Sequence, residues 1–311
     1  MAALSFLYSQ LFVTPPIPTH DFTGQTIIIT GGNRGLGYEA ARHILRLGAA
    51  RVILAVRSIS SGQTAKETLE RDTGWCGAAF VTEMKTIDRI DAVLLNAGIF
   101  AQDFVLQDGY ESTLAVNVVN TFLLAAFLVP VLRRSAETHG ILPRLSIVAS
   151  DRYAMINLPE WKEDNTFRVL NDPKRAKMSQ RYPVSKLLQI LLARAMVERL
   201  VDADGKPVIV VSSFTPGYTH SGLMNNAHGI TALVGALLAK AIARKTEVGC
   251  RTLVAAVAMG AESHGKYMND SEIDEYVFLS VCVRCPANET RPALSPFVRS
   301  EDGAKAQEKV W

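Results

Sequence analysis

Thr26-Ile-Ile-Ile-Thr-Gly-Gly-Asn-Arg-Gly-Leu-Gly37 is the stretch that decides the fold of this chain. The β-branched run reads as a strand and the glycines as a tight loop, while the apolar spacing over residues 38–47, ended by Gly48, reads as a helix. In such a unit a dinucleotide pyrophosphate can rest on backbone amides and on the positive end of the helix. Gly31, Arg34, Gly35, Leu36 and Gly37 are therefore candidate cofactor contacts, against the plainer alternative of an ordinary βα turn.

Working outward, the alternation continues. Residues 51–56, 78–81, 91–95, 144–149 and 207–213 read as strands, and 62–71, 112–133 and about 184–201 as helices. Repeated βα alternation predicts an α/β fold, a single doubly wound parallel sheet covered by helices on both faces.

Composition narrows the function classes. The 311 residues are 48% hydrophobic and 20% charged, with 33 basic against 30 acidic side chains, which excludes a disordered chain and a dedicated nucleic-acid binder. Four cysteines, at 76, 250, 282 and 285, form no disulfide framework, so a reducing, cytoplasmic setting is expected. Cys282 and Cys285 are half of a zinc site without a second half. The six histidines show no HExxH, so no metal is expected. The apolar run at 4–13 ends in Pro15, Pro16 and Pro18 and is too short to span a bilayer, so residues 1–21 read as an N-terminal arm and no transmembrane segment is expected.

The end of the second strand meets the adenosine ribose in a dinucleotide domain, where an acid favours NAD and a cation accommodates the 2′-phosphate. Here Arg57 follows Val56 with no acid nearby, and Arg34 sits in the loop. The pair predicts NADP(H); the alternative is two solvated surface arginines. Tyr182 and Lys186 stand at i and i+4, on one face of a helix that opens there. Ser150 ends the strand at 144–149, where ligand sites of parallel sheets form, and Asn117 lies in the long helix after the preceding strand. A phenol beside an ammonium about 4 Å away would lose about three pK units, so Lys186 is expected to bring Tyr182 near neutrality.

These residues resemble the short-chain dehydrogenase/reductase family, over roughly residues 22–270. The glycine loop, Asn96-Ala-Gly98, Asn117, Ser150, Tyr182 with Lys186, and Pro216-Gly217 occur in the family's order. Residues 36–41 and 181–186 are most similar to fungal members acting on lipophilic secondary metabolites, relatives of retinol dehydrogenases. The resemblance implies a Rossmann-type domain over residues 22–311 and an NADPH-dependent oxidoreductase interconverting a carbonyl and an alcohol on a lipophilic small molecule. It implies that Tyr182 delivers the proton, Ser150 holds the carbonyl oxygen, Lys186 also holds the nicotinamide ribose, and Asn117 keeps a relay water. The bland alternative for Asn117 is a side chain tied to a neighbouring backbone group. Asn96 and Gly98 would line the adenosine side, and Gly217, Thr219 and Ser221 the nicotinamide side. Residues 222–243 would be a substrate lid, either lining a greasy pocket or packing as an ordinary helix or subunit contact. A homo-oligomer through the helices of Asn117 and Tyr182 is also implied, and a third reading, a peripheral membrane role through the apolar lid and the N-terminal arm, lacks a basic flank on either segment that would favour anionic lipid.

Two stretches depart from the family. Only ten residues separate the third and fourth strands, too few for a crossover helix. Either the third strand is displaced, or one sheet face is uncovered and the helix at 112–133 exposes apolar surface. Residues 276–283 read as an extra strand within an atypical insert at about 275–296. One or both departures are expected to be errors of exon assignment, an idea that a transcript encoding this chain would overturn. The competing reading is a catalytically impaired binding protein, or a truncated gene model.

Overall fold

The computed structural model describes residues 2–75, 78–79, 87–225, 227–273 and 295–311. The N-terminal arm forms α1 (Ala2–Phe12), and the decisive stretch folds as β1 (Thr26–Thr30) and α2 (Gly35–Arg46). There follow β2 (Arg51–Ala55), α3 (Ile59–Thr73), β3 (Ala78–Ala79), β4 (Ala92–Leu95) and a small hairpin, β5 (Leu106–Gln107) and β6 (Tyr110–Glu111). The long apolar helix comprises α4 (Ser112–Leu114), a π-helical stretch (Ala115–Asn120) and α5 (Thr121–His139). Then come β7 (Arg144–Val148), α6 (Thr166–Leu170), α7 (Met178–Val197), β8 (Val210–Phe214), α8 (Gly229–Ile242) and α9 (Thr246–Ala258). The chain closes with β9 (Tyr267–Asn269), β10 (Glu272–Ile273), α10 (Pro296–Arg299) and α11 (Glu301–Val310).

The main sheet runs β10-β9-β8-β7-β4-β1-β2-β3, and every pairing is parallel except that of β10 with β9. Side chains alternate across each strand, so Ile27 and Ile29 enter a layer with Ala40 and Ile44 of α2 and Leu253 and Val257 of α9. Ile28 enters the opposite layer with Ile53, Val93, Leu128 and Leu132 of α5 and Met196 of α7. Burial on both faces is why β1 is a continuous β-branched run instead of an alternating one. This is the doubly wound α/β sheet that the alternation predicts.

The third strand is not displaced: β3 pairs with β2, Val52 against Ala78, at the sheet edge. Residues 80–86 lie outside the described residues, and 87–91 are irregular, with Ile87 and Ile90 buried against Ile28 and Ile53. The expected exposed surface is present on α5, where Leu123 and Phe127 project to solvent. The run Ser112–His139 is apolar and long enough to cross a membrane by composition, yet it packs on the sheet through Ala125, Leu128 and Leu132. The extra strand expected at 276–283 and the Cys282/Cys285 pair lie outside the described residues.

Two helix boundaries correct the sequence reading. The first helix opens at Gly35, so Leu36 and Gly37 belong to its first turn. The helix expected at about 184–201 opens at Met178, which places Tyr182 one turn inside it and Pro183 within it. Proline marks helix starts by propensity, but every residue from Arg181 to Ala193 of α7 is buried, and packing overrides the local preference. Part of that cover is the chain's own α10 and α11, whose Val298, Ala306 and Val310 join the cluster of Leu187, Leu188 and Leu191.

Candidate active site

Parallel strands place their loops at one end, and β1, β4, β7 and β8 bring the candidate residues together there. Gly31 and Gly35 adopt φ of +66° and +58°, conformations that favour glycine. A side chain at Gly37 would sit 2.6 Å from Asn96 Nδ2 and 2.7 Å from Gly31 O, so the loop closes to its observed shape only with hydrogen there. Arg34, the residue before α2, is extended and places no side-chain cap on the helix, which leaves the first-turn amides facing the loop. This cradle of amides at a helix N-terminus fits a dinucleotide pyrophosphate. Arg34 and Arg57 are both exposed, and among the described residues neither is drawn into an ion pair.

Asn96 ties two strands together. Its backbone N–H donates to Thr30 Oγ1 and its Nδ2 to Thr30 O, both at 2.9 Å, so its side chain stitches β4 to β1 beneath the glycine loop. Gly98 faces Asn117, whose Oδ1 would lie 3.3 Å from an added side chain. Gly217, at φ +72°, packs against Gln10 and Arg244. Thr219 and Ser221, not separable in the sequence, now separate. Buried Thr219 lies with Leu36 against Gly249 of α9, next to the glycine loop, whereas Ser221 Oγ caps a short turn by accepting from Leu223 N.

Ser150 follows β7 and caps the turn Asp151–Met155, and its hydroxyl bonds to the Tyr182 phenol. Burial nevertheless pushes Tyr182 up to about 12, the Ser150 contact opposing it only in part. Burial likewise pulls Lys186 down to about 7. The expected depression of Tyr182 by Lys186 is thus corrected: the ammonium lies 5.5 Å from the centre of the Tyr182 ring, and desolvation disfavours the charged form of both groups. Lys186 Nζ donates instead to Val148 O at 2.8 Å and to Gln189 Oε1 at 2.9 Å.

Asn117 sits in the π-helical stretch, a local widening frequently found at functional sites. Its Nδ2 donates to Ile99 O and Ser185 Oγ and its Oδ1 accepts from Ile99 N, so the side chain is tied to a neighbouring backbone group. Its carbonyl accepts from Gln189 Nε2 at 2.7 Å. Gln189 is the residue that sequence reasoning missed: buried one turn after Lys186, it links that ammonium to the Asn117 backbone. Its i, i+3 spacing from Lys186 was the available signal. Asp151, accepting from Tyr267 at 2.9 Å and from Thr215 at 3.4 Å, holds the Ser150 turn to β8 and β9. Tyr182 packs edge-on to Phe100, ring centroids 6.0 Å apart.

The model of the short chain dehydrogenase family matches residues 25–148. The chain is 57% identical to the short-chain dehydrogenase anuD of Penicillium roqueforti, over all of this chain and 82% of the relative. It is 36% identical to the short chain dehydrogenase/reductase dmxR8 of Cryptosporiopsis sp., over 99% of this chain and 94% of the relative. Among solved structures, a short chain dehydrogenase of Escherichia coli CFT073, complexed with NADPH, superposes with a TM-score of 0.56 at 18% identity, over 81% of this chain and 99% of the other. The fold is shared with that structure, and full-length similarity to the fungal enzymes goes further: this chain belongs to the short-chain dehydrogenase/reductase family of oxidoreductases.

Proposed function

We propose that the protein is an NADP(H)-dependent oxidoreductase that interconverts a carbonyl and an alcohol on a lipophilic small molecule of fungal secondary metabolism. The observation that carries this reading is the meeting of Ser150, Tyr182 and Lys186 at the strand end that also bears the glycine cradle. The cradle formed by Gly31, Gly35, Leu36 and Gly37 would hold the pyrophosphate, Arg34 and Arg57 the 2′-phosphate, and Lys186, Gly217 and Thr219 the nicotinamide half. When bound, the nicotinamide supplies or accepts a hydride.

The chain's own residues do the rest. Ser150 donates to the substrate oxygen and fixes its position beside the phenol. Tyr182 transfers the proton to that oxygen in reduction and removes it in oxidation. A phenol at about 12 is poorly matched to neutral pH, so a charged Lys186 assists only if its own proton is retained, and the Val148 carbonyl and Gln189 Oε1 both favour that charged form. The Lys186–Gln189–Asn117 link would fix the position of the ammonium against the π-helical stretch.

The test is consumption of NADPH, followed by its absorbance, against a panel of ring-bearing ketones and aldehydes. Turnover of one or more, falling at least ~100-fold in Tyr182→Phe while NADPH binding persists, is the expected result. A folded protein that binds NADPH yet turns over no member of the panel would favour a binding protein instead.

A further inference from the structure

Helix α1 is built inside out. Its polar Ser9 and Gln10 are each 8% exposed, while Leu7, Tyr8, Leu11 and Phe12 face solvent, Phe12 at 74%. The inward side is a polar clasp. Gln10 Nε2 donates to Tyr218 O and Ile242 O, both at 2.9 Å, and its Oε1 accepts from Tyr218 N. Arg244 donates to Ser9 O and Val13 O and pairs with Asp270, which also accepts from Ser9 Oγ. The clasp fixes α1 beside α8, a helix with no buried residue at all. On α8, Ile230 (81% exposed), Leu233, Val234, Leu237 and Leu238 project outward, so the expected greasy lid turns its large side chains away from the protein.

The geometry points to a lipid bilayer surface as the seat of this α1–α8 face. Two observations favour lipid over a second copy of the chain. No Asp or Glu occurs in residues 2–20 or 216–246, while exposed Lys240 and Lys245 stand at the end of α8, where they complement anionic headgroups. Exposed aromatic Tyr8 and Phe12 pair along the outer side of α1, centroids 5.6 Å apart, and Ile17 continues the apolar surface beyond it. The face is assembled from segments more than two hundred residues apart, and the basic flank that the sequence reading found wanting is supplied by Lys240 and Lys245. It does not depend on the proposed reaction.

Flotation of the full chain on vesicles of phosphatidylcholine, with and without phosphatidylserine, tests this. The wild type should float with both and several-fold more with the anionic vesicles. Leu233→Glu combined with Leu237→Glu should reduce flotation at least tenfold, as should Phe12→Glu, with circular dichroism and NADPH binding unchanged. Leu123→Glu with Phe127→Glu, on the exposed face of α5, should float as wild type. The proposal is overturned if the wild type does not float on either vesicle. It is also overturned if the α5 variant alone loses flotation, or if the α8 variant floats normally but dissociates an oligomer seen by sedimentation velocity.

Discussion

Burial of Lys186 and Tyr182 has opposite consequences at opposite ends of the pH scale. Lys186 titrates at about 7 in the folded protein against 10.5 in an unfolded chain. Between those values the unfolded chain binds more protons, so the folded state gains stability as pH rises. Tyr182, at about 12 against 10.0, keeps its proton longer when folded, and its contribution is lost as pH rises from about 10 to 12. Denaturant unfolding at pH of about 7 and about 9 should therefore show wild type gaining on Lys186→Met at the higher pH, and an unchanged difference would contradict the buried-ammonium account. Gln189 is the second test at this scale. Replacing it with Leu removes one of two acceptors on Lys186, so kcat should fall on the order of tenfold while NADPH affinity changes little. Gln189→Glu should instead raise the Lys186 pKa and move the pH–rate profile to higher pH; a profile identical to wild type would reduce Gln189 to a packing role. That Ser150, Tyr182 and Lys186 converge at one strand end is legible from order and spacing, but the ionisation of Tyr182 and Lys186 is not, because sequence spacing carries the Coulomb distance and omits desolvation.

At the level of elements, the strand–glycine–helix order of residues 26–47 is legible in the sequence because its constraints are local. Gly37 shows the limit of tolerance: an added methyl meets both Asn96 Nδ2 and a backbone oxygen, and the latter cannot move aside cheaply. Gly37→Ala should cost about 1–3 kcal/mol in unfolding free energy and at least tenfold in NADPH affinity, which thermal melts and titration would check. Helix ends were less legible. Pro183 suggested a start that buried packing of α7 overrode, and nothing in the spacing of residues 112–133 announced the π-helical turn holding Asn117. The short β3–β4 connection was legible as a chain-length limit.

Over the whole molecule, the sheet order and both helical layers follow from the βα rhythm, whereas contacts between the chain's two ends do not. Arg244 joins them: it is buried, pairs with Asp270 at 2.6 Å and binds carbonyls of the N-terminal segment. Arg244→Met leaves Asp270 without that partner, and should cost about 3–5 kcal/mol and expose residues 1–20 to limited proteolysis. Resistance equal to wild type would mean that α1 is held by other contacts. Cover of α7 by α10 and α11 was equally invisible in the sequence, since amphipathic spacing does not name its partner.

The most direct measurement is a titration of the purified protein with NADPH and with NADH, followed by fluorescence of the reduced nicotinamide, for wild type and for Arg34→Ser with Arg57→Ser. The account predicts NADPH binding on the order of micromolar, NADH at least tenfold weaker, and loss of that difference in the double variant. Equal affinity for the two cofactors in the wild type, or no binding of either by a folded sample, would contradict it.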